Sequence, residues 1–281
     1  MSSTAFQRSS LTPAHPNRPG HEWSDKLSEL LNWQPGSSGN QPVFAHRTVK
    51  PGQRLIRGGQ DFESLYLINA GWFKSVHVDE FGNEQTMGFA TRGDLLGADG
   101  IGSGYYLNEA VSLGVANVIV IPFASHVDFS RLMPGLETML LQMISRQMVN
   151  DQMAAMAIST LTAPARLARF LLNQGERMEQ LGCSGSEFEL VMGRQDIASY
   201  LGMTIETVSR ALTRFGSQGM LKVTQRHIEI LDFAALRTLA GAGAPPRQAS
   251  SDVKRQVVNP VPEASGLSVK KLTAVAKQSV R

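Results

Sequence analysis

Between Gly193 and Gly219 the chain reads GRQDIASYLGMTIETVSRALTRFGSQG, and its apolar positions fall into two helical periods split by a turn. The first period carries Ile197, Ala198 and Leu201. The turn is Gly202-Met203, where glycine enters a left-handed conformation without steric penalty. Thr204 stands where an N-cap would be, its hydroxyl ready to accept from an orphan amide of the next helix. In that helix Ile205, Val208, Leu212 and Phe215 recur at i, i+3, i+7 and i+10, one apolar face. Glu206, Ser209, Arg210, Thr213 and Arg214 fall on the opposite face. One side packs, and the other offers hydrogen-bonding groups.

Ala198, Gly202 and Val208 are spaced by four and then six residues, which lets two helices cross closely, as in a DNA-binding helix-turn-helix. An ordinary helical hairpin with a solvated face is the competing reading. The polar residue types favour the first. Arginine can pair bidentately with guanine, glutamate can accept from the cytosine amino group, and serine can serve either.

Elsewhere the periods change. From Val43 to Phe123 the pattern is short β runs punctuated by Gly52, Gly58, Gly71, Gly82, Gly93 and Gly97, as in an all-β barrel, with FGN at 81–83 as a hairpin turn. A short helix, Trp23 to Trp33, precedes it. A long helix is predicted from about Phe129 to Ile158, broken early at Pro134. Its stripe runs Leu136, Met139 or Leu140, Met143, Ile144, Gln147, Met148, Asp151, Met153 and Met156 at 3–4 spacing. That stripe can cover the barrel or form a parallel coiled-coil dimer. Thr160 to Ala163 reads as a hinge, with Pro164 at a first helical position. The helix that follows buries Leu167, Phe170 and Leu171. After the helix pair, Leu221–Thr224 and His227–Leu231 alternate around Gln225-Arg226, a β-hairpin wing.

The run TIETVSRALTRF followed by SQGMLKV resembles the recognition helix and wing of the Crp/Fnr family of bacterial transcription regulators, and is most similar to the Fnr branch. The likeness covers about residues 40–235. It implies an α+β architecture: a cyclic-nucleotide-binding-type β-roll at 23–128, a dimerisation helix at 129–159 and a winged helix-turn-helix at 160–235. Tails flank these at 1–22 and 236–281. It implies a homodimer on double-stranded DNA with TTGAT-like half-sites, and contact of roll loops, such as that around Gly82, with RNA polymerase. The candidate DNA-contacting residues are Thr204, Glu206, Thr207, Ser209, Arg210 and Arg214, with Arg226 at the wing tip. Arg210 is expected on guanine, Glu206 on its partner cytosine and Ser209 at a neighbouring thymine. Leu140, Met143, Ile144, Met148 and Asp151 are the candidate dimer interface, with paired Asp151 charges keeping the dimer marginal.

In the Fnr branch, clustered N-terminal cysteines hold an iron–sulfur cluster. Cys183 is the sole cysteine here, it lies in a linker, and Ile119 stands where the remaining ligand would align. Such a cluster is not expected. The cAMP-binding members carry an Arg-Ser pair on the ligand phosphate. Asn108-Glu109 fills that place within GDLLGADGIGSGYYLNEAVSL, which disfavours the ligand. No cofactor is therefore expected. A regulator gated by a cyclic nucleotide or haem in the roll stays as the alternative, with His46, His77 and His126 read as surface or structural histidines.

Composition adds limits. Hydrophobic residues make up 42% of the 281, enough for a core. No apolar run approaches the ~20 residues of a membrane span, and MSSTAFQRSS lacks a signal-peptide pattern, so a cytoplasmic location is expected. Net charge is +3, yet Gly241–Arg281 holds seven Lys/Arg against two Asp/Glu, a net of +5. That basic tail, like residues 1–22, reads as disordered. Glu187 and Glu189 alternate on an exposed strand, and no nucleophile–base–acid order appears, so an enzyme is not expected.

Overall fold

The computed structural model describes residues 44–123 and 135–241. The predicted helix at Trp23–Trp33, the tail at 1–22, residues 242–281, His126 and the start of the long helix lie outside the described residues, while residues 236–241, expected in the C-terminal tail, instead finish the last helix and bury Leu236 and Ala240.

Eight strands build the first part: β1 (Ala45–Val49), β2 (Arg54–Ile56), β3 (Ser64–Ala70), β4 (Trp72–Val78), β5 (Glu84–Thr91), β6 (Leu95–Leu96), β7 (Glu109–Ser112) and β8 (Ala116–Pro122). A short helix, α1 (Gly100–Ser103), precedes β7. The strands form two antiparallel sheets, ordered β1-β8-β3-β6 and β2-β7-β4-β5. Side chains alternate across each strand, and here both faces of the first sheet are covered. Ile68 and Val118 point between the sheets with Phe73, Leu96 and Tyr106. Their neighbours Leu65, Leu67, Ile119 and Ile121 point the other way, onto Leu136, Met139, Leu140 and Met143 of the long helix. This double burial is why the sequence of β3 shows only partial alternation. Gly71 alone turns β3 into β4 at φ +91°, and a Cβ there would fall 2.6 Å from the Ala116 methyl.

The long helix is α2 (Leu136–Thr160). After Leu161 and Thr162 the chain re-enters a helix, α3 (Ala163–Gln180), with Pro164 in its first turn. Then come β9 (Glu187–Glu189), α4 (Arg194–Leu201), α5 (Ile205–Ser217), the hairpin β10 (Leu221–Thr224) and β11 (His227–Ile230), and α6 (Phe233–Leu239). The strands pair β10-β11-β9. A separate core joins Leu167 and Phe170 of α3, Ile197 and Leu201 of α4, and Val208, Leu212 and Phe215 of α5. Burying each such side chain contributes about 1.5–3 kcal/mol over leaving it exposed.

The two parts dock through β5, an outer strand whose edge amides have no strand partner. The Thr86 N–H donates to Ser199 Oγ of α4 at 2.8 Å, and the Gln85 side-chain Nε2 donates to the Ser199 carbonyl. Lys74 Nζ reaches Asp196 Oδ1 at 2.7 Å. Arg177 pairs with Asp94, and its guanidinium lies 5.8 Å from the Trp72 ring centre. Phe89 of β5 meets Tyr200 edge-on at 5.4 Å.

Candidate nucleic-acid interface

The turn between α4 and α5 follows from its sequence. Gly202 takes φ +62°, ψ +48°, and its amide bonds the carbonyls of Ala198 and Ser199 that the ending helix leaves open. Thr204 then caps α5, accepting from the Thr207 amide at 3.3 Å. The two hydroxyls lie 3.1 Å apart, so the Thr207 side chain is engaged at the cap. At the start of α4, Asp196 accepts from the Gly193 amide at 3.2 Å while holding Lys74 with its other oxygen.

The buried face of α5 is Val208, Ala211, Leu212 and Phe215. Ile205, expected on that face, is instead 37% exposed. As the first helical residue its side chain leans back over the turn preceding the helix, outside the contact with α4. Ala211 fills the apolar stripe in its place.

Glu206, Arg210, Thr213 and Arg214 are exposed on the outward face, and Ser209 and Thr207 are partly covered. The amide at the start of α5 and the Thr204 hydroxyl, helped by the Arg210 charge, hold the Glu206 carboxyl below its usual pKa, so it is an acceptor at neutral pH. Ser209 Oγ accepts from Arg194 Nη1 at 3.3 Å. Arg194 was not singled out by its sequence. It opens α4, but its reach to the face of α5 depends on the crossing of the two helices. Arg226 is exposed on the wing, and its guanidinium donates to the Val191 carbonyl at 3.1 Å. The structure thus places Glu206, Arg210, Thr213 and Arg214 on one exposed face and ties Arg226 back to the segment between β9 and α4.

The candidate dimer residues divide between two faces of α2. Leu140 and Met143 are each 8% exposed and packed on the roll beside Leu65 and Ile121, so they serve the chain's own core. On the single chain the 3–4 stripe therefore contains residues of two adjoining faces. Ile144 borders that core, while Met148 and Asp151 are exposed.

Residues 165–239 match the Crp-like helix-turn-helix domain, and residues 46–132 match the cyclic nucleotide-binding domain. The chain is 41% identical over 195 residues to the fumarate and nitrate reduction regulatory protein of Escherichia coli K12, covering 69% of this chain and 78% of the relative. The fumarate nitrate reduction regulatory protein of Klebsiella oxytoca matches at 40% with the same coverage. The chain belongs to the Crp/Fnr family of transcription regulators. Among solved structures it is similar to FixK2 of Bradyrhizobium japonicum, with a TM-score of 0.64 and 25% identity, over 72% of this chain and all of that one. A CooA variant of Carboxydothermus hydrogenoformans shares the fold, with a TM-score of 0.62 at 18% identity, over 76% of this chain and 95% of that one.

A cyclic nucleotide bound in the roll of this Crp/Fnr chain would need a cation at its phosphate. The loop from Gly97 to Glu109 contains no Lys or Arg. Asp99 Oδ2 accepts from the Asn108 amide at 2.9 Å and from its side chain at 3.0 Å, closing the loop on itself. Glu109, in the Arg-Ser place, is ion-paired with Arg54 at 2.5 Å. Two carboxylates, with no Lys or Arg in the loop itself, do not fit a phosphodiester there. Among the described residues no group of three His, Cys, Asp or Glu could hold a metal ion, and no helix is long and apolar enough to cross a membrane.

Proposed function

We propose that this DNA-binding transcription regulator acts in the cytoplasm as a homodimer on a palindromic operator with TTGAT-like half-sites. The observation that carries the reading is the outward face of α5, where Glu206, Arg210 and Arg214 stand exposed on a helix fixed by its cap and core. Two such helices about a two-fold axis would enter successive major grooves about 34–36 Å apart. Arg210 reads guanine, Glu206 its partner cytosine and Ser209 a neighbouring thymine, with Thr204, Thr207, Arg214 and Arg226 at the flanks and backbone.

The dimer forms along α2. Leu141, Ile144, Met148, Asp151, Ala155 and Ile158 follow one another at alternating spacings of three and four, the seam of a parallel coiled coil. Leu141, Met148 and Ile158 are exposed on the single chain. Activation uses the hairpin tip 79–83 against RNA polymerase. Asp79 fixes that tip by accepting from the Phe81 and Asn83 amides and the Asn83 side chain, leaving Phe81 81% exposed.

Fluorescence anisotropy with a palindromic TTGAT duplex tests the reading. The full chain is expected to bind it about 1,000 times more tightly than a scrambled duplex of equal length in the same salt, the lower end of the usual span of specific over non-specific binding. Equal affinity for both duplexes sinks the proposal.

Asp151 gives a second test. Partial desolvation pushes its carboxyl above the ordinary pKa, and a facing copy across the seam pushes the same way. The facing copy raises the dimer's value above that of the free chain, so the dimer holds more protons than two monomers and dimerisation weakens as pH rises from the free chain's value through the dimer's. Asp151→Asn should tighten the dimer about tenfold at neutral pH and flatten that dependence, as removing a like-charge contact does. Sedimentation equilibrium at several pH values checks both.

A further inference from the structure

We infer that Arg166 is a positioning residue that fixes the end of the dimer helix against the turn from which the reading helix starts. Its Nη1 donates to the Ile158 carbonyl at 3.0 Å, and its Nη2 reaches the Gly202 carbonyl at 3.4 Å. The Ile158 carbonyl belongs to the last turn of α2, where no intrahelical amide follows to take it. Gly202 is the left-handed residue that ends α4. Both helices present the negative ends of their dipoles there, and one guanidinium satisfies the two at once.

The rest of Arg166 supports a fixed placement. Its Nε is buried without a hydrogen-bond partner among the described residues. An unpaired buried donor is unfavourable, so the side chain keeps this pose because its two terminal bonds and its packing outweigh that term. A Cβ added at Gly202 would meet Ile158 Cγ2 at 3.8 Å, so the last turn of α2 lies directly against the α4–α5 turn. The contact has a mechanical role because α2 is held unevenly. Its first half is packed on the roll through Leu136, Met139, Leu140 and Met143. From Ile144 onward only Ala157 is buried. α4 is anchored to the roll by Asp196 and Ser199. Arg166 therefore closes the connection between the exposed half of α2, with its seam residues, and the helix pair that aims α5. Lysine cannot substitute, because a single ammonium lacks the planar fork that spans two carbonyls.

The inference rests on the reading of α2 as the dimer seam and α5 as the groove helix, but its first readout needs neither. Nitroxide labels go on Asn150→Cys and Gln218→Cys in the full chain with Cys183→Ser, and labelled protein is diluted into unlabelled chain so that only intrachain distances are measured. The parent should give one narrow distance distribution. Arg166→Ala should broaden it or add a second population, and Arg166→Lys should do so as well, with thermal melting confirming that both fold. On the palindromic duplex, Arg166→Ala should bind about tenfold more weakly, a typical coupling between sites, and should lose its preference for the correct half-site spacing over one lengthened by a single base pair. Unchanged distances in both variants overturn the role of Arg166, whatever the DNA result. A parent that ignores the duplex while the variants broaden overturns the operator reading instead.

Discussion

Met148→Asp is expected to dissociate the dimer and to lower affinity for a palindromic operator by more than 100-fold. Met148 is 57% exposed on the single chain and lies at a seam position of α2, three residues before Asp151. In the dimer the substitution replaces two thioether side chains, each contributing about 1.5–3 kcal/mol when buried. It also places four carboxylates within one turn of the seam, and uncompensated charges in such a setting are destabilising by about 3–5 kcal/mol where a buried pair is broken. A monomer then grips one half-site and forfeits the roughly 10²–10⁴ advantage of binding both at once. Val149→Asp is the control. Val149 is 54% exposed, nearly the same as Met148, but it falls one residue off the seam. It should leave the sedimentation coefficient and operator affinity close to those of the parent. If both variants remain dimeric, or if both dissociate, the 3–4 register is not the interface.

That contrast shows where the sequence is and is not legible. The helix-turn-helix could be read in one pass because its determinants are local: Gly202 for the turn, Thr204 for the cap, and Val208, Leu212 and Phe215 for the packed face. Ile205 broke the pattern because periodicity describes an endless helix, while a first-turn residue projects past its neighbour. The β runs were visible through their glycines, but the order β1-β8-β3-β6 was not, since pairing of Ala45 with Val120 carries no local mark. In α2 a single stripe at 3–4 spacing merged two jobs. Leu140 and Met143 pack on the roll, and the neighbouring register from Leu141 to Ile158 is the one proposed for a partner. The contacts of Ser199 with β5, of Arg194 with Ser209 and of Arg166 with two helix ends are made by side chains far apart in sequence. Nothing in a one-dimensional pattern announces them.

Arg210→Ala is the second large effect expected. The side chain is exposed one turn after Glu206, and the two charges attract along the outward face of α5. In the proposed reading a planar fork and an acceptor stand one helical turn apart, the residue types that suit a guanine and the cytosine paired with it. Losing a bidentate contact of this kind removes ~1–3 kcal/mol at each half-site, and so about 2–6 kcal/mol over a two-fold operator. The loss should be selective. Competition anisotropy should show Arg210→Ala no longer distinguishing the operator from one with that base pair exchanged, while affinity for unrelated duplex changes little. Arg210→Lys keeps the charge without the fork, so it should preserve the salt dependence and still lose the discrimination. Arg214→Ala should behave in the opposite way if that side chain holds a phosphate: weaker on every sequence, with the salt slope reduced by about one. A dimer that keeps full discrimination after Arg210→Ala would remove Arg210 from the base-reading face, and would leave the groove contact to Glu206 and to Ser209 as held by Arg194.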